Sequence, residues 1–176
     1  MFSEQSRQGL VSVFERCAQA SLARSQDDVF EIAAAPTASL GGDFLLIITT
    51  SSFSFRLLTI FHVEDNETNR AYFVPASSGV SLQEGFAEVA NMCCGALNRE
   101  IGPCFPHLAM SIPSRLSARC VEHLPQLNAD YIGRFTININ SAVRLGVTLC
   151  MCCTAPVEIP LTQNSVQQSG GELEMF

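Results

Sequence analysis

A carboxylate and an amide stand three residues apart in the sequence Glu88-Val-Ala-Asn91. On a helix, side chains with this spacing project side by side. The two cannot act as a general acid and base, because an amide does not titrate. The carboxylate can instead bind a cation on a partner, while the amide, which both donates and accepts hydrogen bonds, can orient a water molecule. Phosphoryl transfer depends on such positioning and charge stabilisation, and a water-orienting amide is a known device for it.

The pair lies in a stretch, Leu82–Ile101, whose spacing predicts an amphipathic helix. Ser81 and Glu84 form a predicted capping box at its start, and Gly102-Pro103 ends it. Its apolar face consists of Leu82, Phe86, Val89, Cys93, Ala96 and Leu97. Its polar face consists of Glu84, Glu88, Asn91, Gly95 and Asn98. Because this polar face has no lysine, it indicates a surface for close contact with a polar partner, with an ordinary solvated face as the alternative.

Length and composition limit the classes of protein. A chain of 176 residues with 47% hydrophobic and 15% charged residues predicts one globular domain with a well-filled core. The net charge of −7 disfavours nucleic acid and anionic membranes as partners, but it suits a basic patch or a lysine on another protein. We find neither a signal peptide nor an apolar run of the roughly 20 residues that a membrane span needs, so we expect a cytoplasmic protein.

The eight cysteines are predicted to be reduced and to serve as small apolar core residues. Cys150 and Cys153 have Cys-x-x-Cys spacing, but Val147–Cys153 is typical of a buried strand. There Cys150 and Cys152 would face one side and Cys153 the other, which is poor geometry for a shared metal. The three histidines have no ligand spacing to these cysteines. We therefore expect no metal and no cofactor of the chain's own.

The remaining patterns predict the order of elements along a single domain, residues 1–155, with a polar tail, residues 156–176. Before the Leu82–Ile101 helix we expect a helix Glu4–Arg24, strand Val29–Ala34, hairpin turn Leu40–Asp43, strands Phe44–Ser51 and Phe53–His62, a polar turn Asp65–Thr68 and a short strand Arg70–Val74. After it we expect extended segments Leu108–Ile112 and Arg115–Val121, a loop His123–Asp130, and strands Tyr131–Asn138 and Ala142–Cys153. The terminal Gly-Glu-Leu-Glu-Met-Phe is either a tethered docking peptide for a partner or a frayed end.

The two halves of this order are alike. Each has a helix, an extended segment that closes on a proline (Pro36 or Pro113), and then a pair of strands. The spacing indicates a weak internal duplication. It predicts an α+β fold in which two long helices pack on a largely antiparallel sheet with pseudo-twofold symmetry.

Glu88-x-x-Asn91 on a helix, followed by Pro113 after an extended segment, resembles the signature of the CheC/CheX chemotaxis phosphatases. In that family an acidic or serine residue precedes the Glu-x-x-Asn pair by four positions, and a proline follows at a set distance. The surrounding residues, Glu-Val-Ala-Asn-Met-Cys-Cys-Gly-Ala-Leu and Leu-Ala-Met-Ser-Ile-Pro, are most similar to the CheX branch. The resemblance extends over about residues 7–155, through the order of elements as well as the motif.

The resemblance implies a phosphatase that acts on the aspartyl phosphate of a CheY-like response regulator. Asn91 would enter the receiver's active site and align the attacking water, and Glu88 would pair with the receiver's lysine. Glu84, Gly95, Asn98 and Pro113 would contact the receiver. The Mg²⁺ would belong to the receiver, and the chain would form a homodimer.

Three features depart from the family pattern. Glu84 stands where aspartate or serine is usual, and Pro113 comes one residue early. CheC proteins carry a second Glu-x-x-Asn on the first helix, whereas Glu15-Arg-Cys-Ala18 has alanine at the position of the amide. A single active half, as in CheX-type proteins, is therefore expected.

Two non-catalytic alternatives remain open. The same fold serves in flagellar switch components as an interaction module, although those relatives lack the Glu-x-x-Asn pair. The other alternative is a diverged domain that binds a receiver without turnover. The sequence does not identify the cognate receiver or the signalling circuit.

Overall fold

A computed structural model describes residues 2–36 and 40–161. The α-helices are α1 (Glu4–Leu22), α2 (Glu67–Phe73) and α3 (Leu82–Ile101), and the strands are β1 (Phe30–Ala34), β2 (Phe44–Ser51), β3 (Phe55–Val63), β4 (Ala109–Met110), β5 (Ser114–Ser117), β6 (Tyr131–Ile139) and β7 (Val143–Cys153). Two 3₁₀ segments, Gly102–Cys104 and Ala118–Leu127, follow α3 and β5. The predicted α+β class is confirmed.

The seven strands form one antiparallel sheet in the order β1-β6-β7-β3-β2-β4, with β5 also paired to β2. The first half of the chain supplies the inner strands β2 and β3 and the edge strand β1, and the second half supplies the inner strands β6 and β7 and the edge strand β4. Each edge strand pairs with an inner strand of the other half. Exchanging the halves therefore maps β1-β6-β7 onto β4-β2-β3. This topology confirms the predicted internal duplication with pseudo-twofold symmetry.

The two long helices lie side by side on one face of the sheet, which we call the inner face. Phe14 of α1 contacts Phe135 of β6 with ring centroids 6.2 Å apart, and Phe86 of α3 contacts Phe61 of β3 at 5.5 Å. An ion pair of 2.6 Å between Arg16 and Glu100 joins the helices. Each helix thus buries one stripe against the sheet and leaves its opposite side towards solvent.

The other side of the sheet, the outer face, has an apolar and a polar part. The 3₁₀ segment Ala118–Leu127 covers the apolar part, where Leu124 packs against Leu45, Ile60 and Cys150. The polar part lies around His62 of β3, between strands β6 and β7 on one side and the segment before β2 on the other.

The predicted strand Arg70–Val74 is wrong, because these residues belong to helix α2 and its C-cap. Asn66 caps that helix, since its Oδ1 accepts a 2.8 Å hydrogen bond from the Asn69 amide. The aromatic pair Tyr72-Phe73 suggested a strand, but Phe73 packs edge-on against Phe86 with centroids 4.9 Å apart. A tertiary contact with α3 thus overrides the local β propensity.

The predicted extended segment Arg115–Val121 and loop His123–Asp130 are also wrong in part. Strand β5 ends at Ser117, and the 3₁₀ segment then runs to Leu127. Val121, Leu124 and Leu127 recur every third residue, which aligns their side chains on one side of a 3₁₀ helix. That side packs on the apolar part of the outer face.

The glycines Gly41-Gly42 do not form the predicted hairpin turn. Strand β1 pairs with β6 and strand β2 with β3, so the connection between β1 and β2 joins no adjacent strands. A Cβ on Gly42 would lie 3.1 Å from the Val63 amide nitrogen. The glycine is needed for this close backbone approach.

Residues 156–161, assigned to the tail by prediction, pack along α1. Val157 forms a bridge with Phe2, and its carbonyl accepts a 3.1 Å hydrogen bond from Ser6 Oγ. Ile159 is buried, and a Cβ on Gly9 would clash with the Ile159 carbonyl. The proposed docking peptide at the end of the tail lies outside the described residues.

All eight cysteines are free thiols, and only Cys104 is exposed. The predicted core role is confirmed for Cys17, Cys93, Cys94 and Cys150, which are buried. Burial raises the pKa of the Cys94 thiol to about 12, so the thiol stays protonated at neutral pH.

Candidate functional site: the outer stripe of helix α3

Helix α3 begins with the predicted capping box. The Glu84 amide donates to Ser81 Oγ at 3.3 Å, and the Ser81 amide donates to a Glu84 carboxylate oxygen at 3.0 Å. The predicted bounds Leu82–Ile101 are confirmed. The capping box fixes where the first turn of α3 starts, and with it the side of the helix that points outwards. Glu88 and Asn91, four and seven residues after Glu84, lie on that side.

Loss of this cap gives a first testable prediction. Ser81→Ala should lower the free energy of unfolding by about 1 kcal/mol, since it leaves a helix N–H without its acceptor. Urea denaturation followed by circular dichroism measures the change. Ser77→Ala, at an exposed serine in the loop before the helix, is the matched control, and an equal effect of the two substitutions would contradict the capping role.

The buried stripe of α3 differs in part from the predicted one. Ala90 and Cys94 are fully buried, whereas Val89 and Ala96 are only half-buried. Glu100, one turn beyond Ala96, pairs with Arg16, so this side of α3 faces α1. The contact between α1 and α3 accounts for the partial burial of Val89 and Ala96.

Glu88 and Asn91 project from the exposed side of α3. Within the described residues, neither side chain makes a hydrogen bond or an ion pair. The carboxylate is therefore available for a cation and the amide for a water or another polar group. A helix surface is convex, so it suits a macromolecular partner better than a small substrate, which normally binds in a cleft.

Glu84 has a different role from the one predicted for it as a partner contact. Its carboxylate accepts hydrogen bonds from the Ser81 hydroxyl at 2.7 Å and from the Ser81 amide at 3.0 Å. These bonds, first from the side chain and then from the backbone, lower the pKa of Glu84. The structure thus assigns Glu84 to the helix cap, and a contact with a receiver stays a prediction.

Gly95 and Asn98 continue the stripe and are half-buried. A Cβ on Gly95 would lie 3.6 Å from Arg99 Nη1, an ordinary contact, so packing within the chain does not require a glycine here. Asn98 Oδ1 is buried and has no hydrogen-bond partner in residues 2–36 and 40–161. Both positions are compatible with the predicted partner contact, which nothing in the structure tests.

Pro113 is half-buried and lies between β4 and β5, both of which pair with β2. The Ser111 amide donates to the Thr49 carbonyl at 2.9 Å, which holds the residues before the proline on the edge of β2. Helix α3 also contacts β2. The proline therefore lies on the sheet edge on the α3 side of the molecule.

Met92 belongs to this surface and was not predicted. Its side chain is 64% exposed beside Asn91, one turn after Glu88. A single exposed apolar side chain is common on protein surfaces, so Met92 is a candidate contact only because it lies beside Glu88 and Asn91. Sequence periodicity did not single it out, because Met92 lies at the border between the two faces of the helix.

The first helix has no equivalent pair. Glu15 is half-buried and Ala18 is fully buried. Since Ala18 points into the core, an amide at that position would not reach the surface. The exposed residues of α1 do not include a Glu-x-x-Asn pair; they are Glu4, Gln5, Gln8, Gln19 and Ala20.

Other classes of site find no support in the part of the chain that the structure describes. There, no group of three or more histidine, cysteine, aspartate or glutamate side chains could hold a metal ion. No helix in the same ranges is long and apolar enough to cross a membrane.

The sequence matches no protein-family model, and no curated protein is similar to it in sequence. The fold, in contrast, is similar to that of several solved structures. The chemotaxis protein CheX from Vibrio vulnificus matches with a TM-score of 0.55 at 11% identity, over 81% of this chain and 96% of that one. CheX in the CheX-CheY-BeF3-Mg complex from Borrelia burgdorferi matches with a TM-score of 0.54 at 10% identity, over 86% and 99%.

A flagellar protein has the same fold. The FliM middle domain from Vibrio alginolyticus matches with a TM-score of 0.53 at 9% identity, over 84% of this chain and 93% of that one. At identities this low, structural similarity establishes the fold but not an activity. An activity has to be argued from the residues of the site. The resemblance predicted from the sequence is thus confirmed at the level of architecture: the chain has the fold of the CheC-like and CheX chemotaxis proteins.

Proposed function

We propose that the protein is a phosphatase for the aspartyl phosphate of a CheY-like response regulator. The observation that carries the proposal is the exposed Glu88–Asn91 pair, which has no partner among the described residues and lies on a fold shared with CheX. A CheX of this fold occurs in a complex with CheY, BeF3 and Mg. That complex supports a receiver as the partner and Mg²⁺ as an ion of the receiver.

In the proposed reaction Asn91 enters the receiver's active site and holds a water in line with the phosphorus–aspartate bond. The water oxygen attacks phosphorus, the bond to the aspartate oxygen breaks, and inorganic phosphate leaves. Glu88 pairs with the receiver's lysine and fixes the register of the two proteins. Mg²⁺ on the receiver would offset the negative charge of the phosphoryl group.

Phosphate release from a panel of phosphorylated CheY-like receivers tests the activity. We expect the protein to accelerate release from at least one receiver above its own rate of autodephosphorylation. Binding without acceleration would instead favour the alternative, a non-catalytic receiver-binding module. The shared fold of the FliM middle domain is the observation that supports this second candidate.

Glu88→Ala should weaken receiver binding by about 10-fold, because it removes one charge-pair contact at the centre of the interface. Titration of a fluorescent receiver measures the affinity. Glu122→Ala is the matched control, since Glu122 is an exposed carboxylate on the outer-face 3₁₀ segment. Equal affinities of wild type and Glu88→Ala would remove the proposed role of Glu88.

We further propose that the protein is a cytoplasmic homodimer. Strand β1 ends the sheet and pairs on one side with β6. The backbone groups on its other side could accept a strand from a second copy. Sedimentation equilibrium tests the dimer, and a monomer at all concentrations would contradict it.

A further inference from the structure

A polar cavity of about 200 Å³ opens on the outer face of the sheet, opposite the helices. The side chains of His62, Glu64, Thr136, Asn138 and Arg144 line it, together with Gly146. It lies outside the proposed phosphatase site, which is on the exposed side of α3. Most of its residues come from the central strands β3, β6 and β7, whereas Gly41 and Glu64 lie in the segments before β2 and after β3.

Gly146, in the lining of the cavity, makes room for the side chains of Leu40 and His62. Gly146 of β7 pairs with Thr136 on one side and with His62 on the other. A Cβ on Gly146 would lie 2.9 Å from Leu40 Cδ2 and 3.0 Å from His62 Cβ. A larger residue at position 146 would therefore displace Leu40 or His62 and change the shape of the cavity.

Hydrogen-bond donors predominate in this cavity. Arg144 Nε donates to Asn138 Oδ1 at 3.4 Å, which occupies the acceptor of that amide. The Asn138 Nδ2 group and the terminal nitrogens of Arg144 remain as donors, and the Thr136 hydroxyl adds another. Glu64, the one carboxylate in the lining, accepts a 3.4 Å hydrogen bond from Asn66 Nδ2.

A second arginine lies in the next row of the same face. Arg134 pairs across the strands with Thr148, whose hydroxyl is 3.0 Å from His62 Nε2. Arg134 Nε is buried and has no hydrogen-bond partner among residues 2–36 and 40–161. Arg134 is not among the residues that line the cavity, but its positive charge lies close enough to act on His62.

His62 adds no positive charge to this part of the outer face. Burial, and then the nearby Arg134 guanidinium, lower the pKa of His62 to about 4. At pH 7 the ring is therefore uncharged, and the positive charges on this part of the face are those of the two arginines.

We propose that this cavity binds a small oxyanion, either a carboxylate or a phosphate group, through Arg144, the Asn138 amide group and the Thr136 hydroxyl, all three of which line it. Carboxylate and phosphate oxygens are the acceptors that guanidinium groups bind best. A volume of about 200 Å³ is large enough for a small metabolite that carries such a group.

Nuclear magnetic resonance of the histidine rings tests this proposal at pH 7. Sodium phosphate and sodium succinate are titrated separately, with sodium chloride at matched ionic strength as the control. We expect the His62 resonance to shift saturably with one of the two anions, with Kd below about 1 mM. The exposed rings of His107 and His123 serve as internal references. Saturation by phosphate alone or by succinate alone identifies the source of the oxyanion.

Two variants test the residues. Arg144→Gln and Thr136→Val should each weaken binding at least 10-fold, whereas Arg119→Gln, an exposed arginine on the 3₁₀ segment, should leave it unchanged. The proposal is overturned if neither anion shifts His62, if sodium chloride gives the same shift, or if Arg144→Gln binds as tightly as wild type.

Discussion

Replacement of Asn91 by alanine is expected to lower the rate of receiver dephosphorylation by about 100-fold or more, which is the usual loss when a group that stabilises a transition state is removed. The amide is exposed and makes no hydrogen bond within the described residues, so its loss should not affect folding. We expect receiver affinity to change little, because Asn91 is proposed to act on the attacking water. Phosphate release at saturating protein, measured for each variant, separates the rate from the affinity.

Gln19→Ala provides a matched control for Asn91→Ala. Gln19 is an exposed carboxamide on α1, the other long helix, and lies outside the proposed site. Its removal should leave dephosphorylation unchanged. Asn91→Asp keeps the size of the side chain but adds a negative charge next to Glu88, so it should be at least as inactive as Asn91→Ala. Equal rates for wild type and Asn91→Ala would exclude the proposed mechanism.

Phe86→Ala is expected to cost about 3–5 kcal/mol of the free energy of unfolding, the usual range for loss of a buried phenylalanine. Phe86 is fully buried and touches Phe61 of β3 at 5.5 Å and Phe73 of α2 at 4.9 Å, measured between ring centroids. It therefore joins α3, α2 and the sheet. Urea denaturation at constant pH measures the loss.

Phe53→Ala is the control for the same chemical change at the surface. Phe53 is 89% exposed in the turn between β2 and β3. Its replacement should change stability by less than about 0.5 kcal/mol. Similar losses for Phe53→Ala and Phe86→Ala would contradict the packing described for α3.

Helix α3 was predictable because its signals are local. Ser81 and Glu84 mark its start within one turn, and Gly102-Pro103 marks its end, so the bounds Leu82–Ile101 are confirmed. The outward position of Glu88 and Asn91 followed from the same periodicity. The pseudo-twofold symmetry was accessible through the matching positions of Pro36 and Pro113, which reflect a duplication rather than any local propensity, whereas the order of strands in the sheet was not predicted.

Other features depend on contacts between distant residues. Tyr72 and Phe73 are typical of strands, and their packing on α1 and α3, together with the Asn66 cap, explains the helix there. Phe53 was assigned to a strand by its hydrophobicity but lies in a turn. Glu84 matched a family position on sequence grounds, yet its carboxylate is used by the helix cap. Exposure of Met92 and convergence of Arg134 and Arg144 on one face also require the three-dimensional structure.

The distribution of the thiols makes the protein suitable for site-selective fluorescence labelling without removal of any native cysteine. Cys104 is the one exposed thiol, whereas the other seven are buried or half-buried. A maleimide dye should therefore react first at Cys104. That residue follows the end of α3 and lies about 20 Å along the helix from Asn91. A dye there would report the arrival of a receiver by energy transfer while leaving Glu88 and Asn91 unmodified.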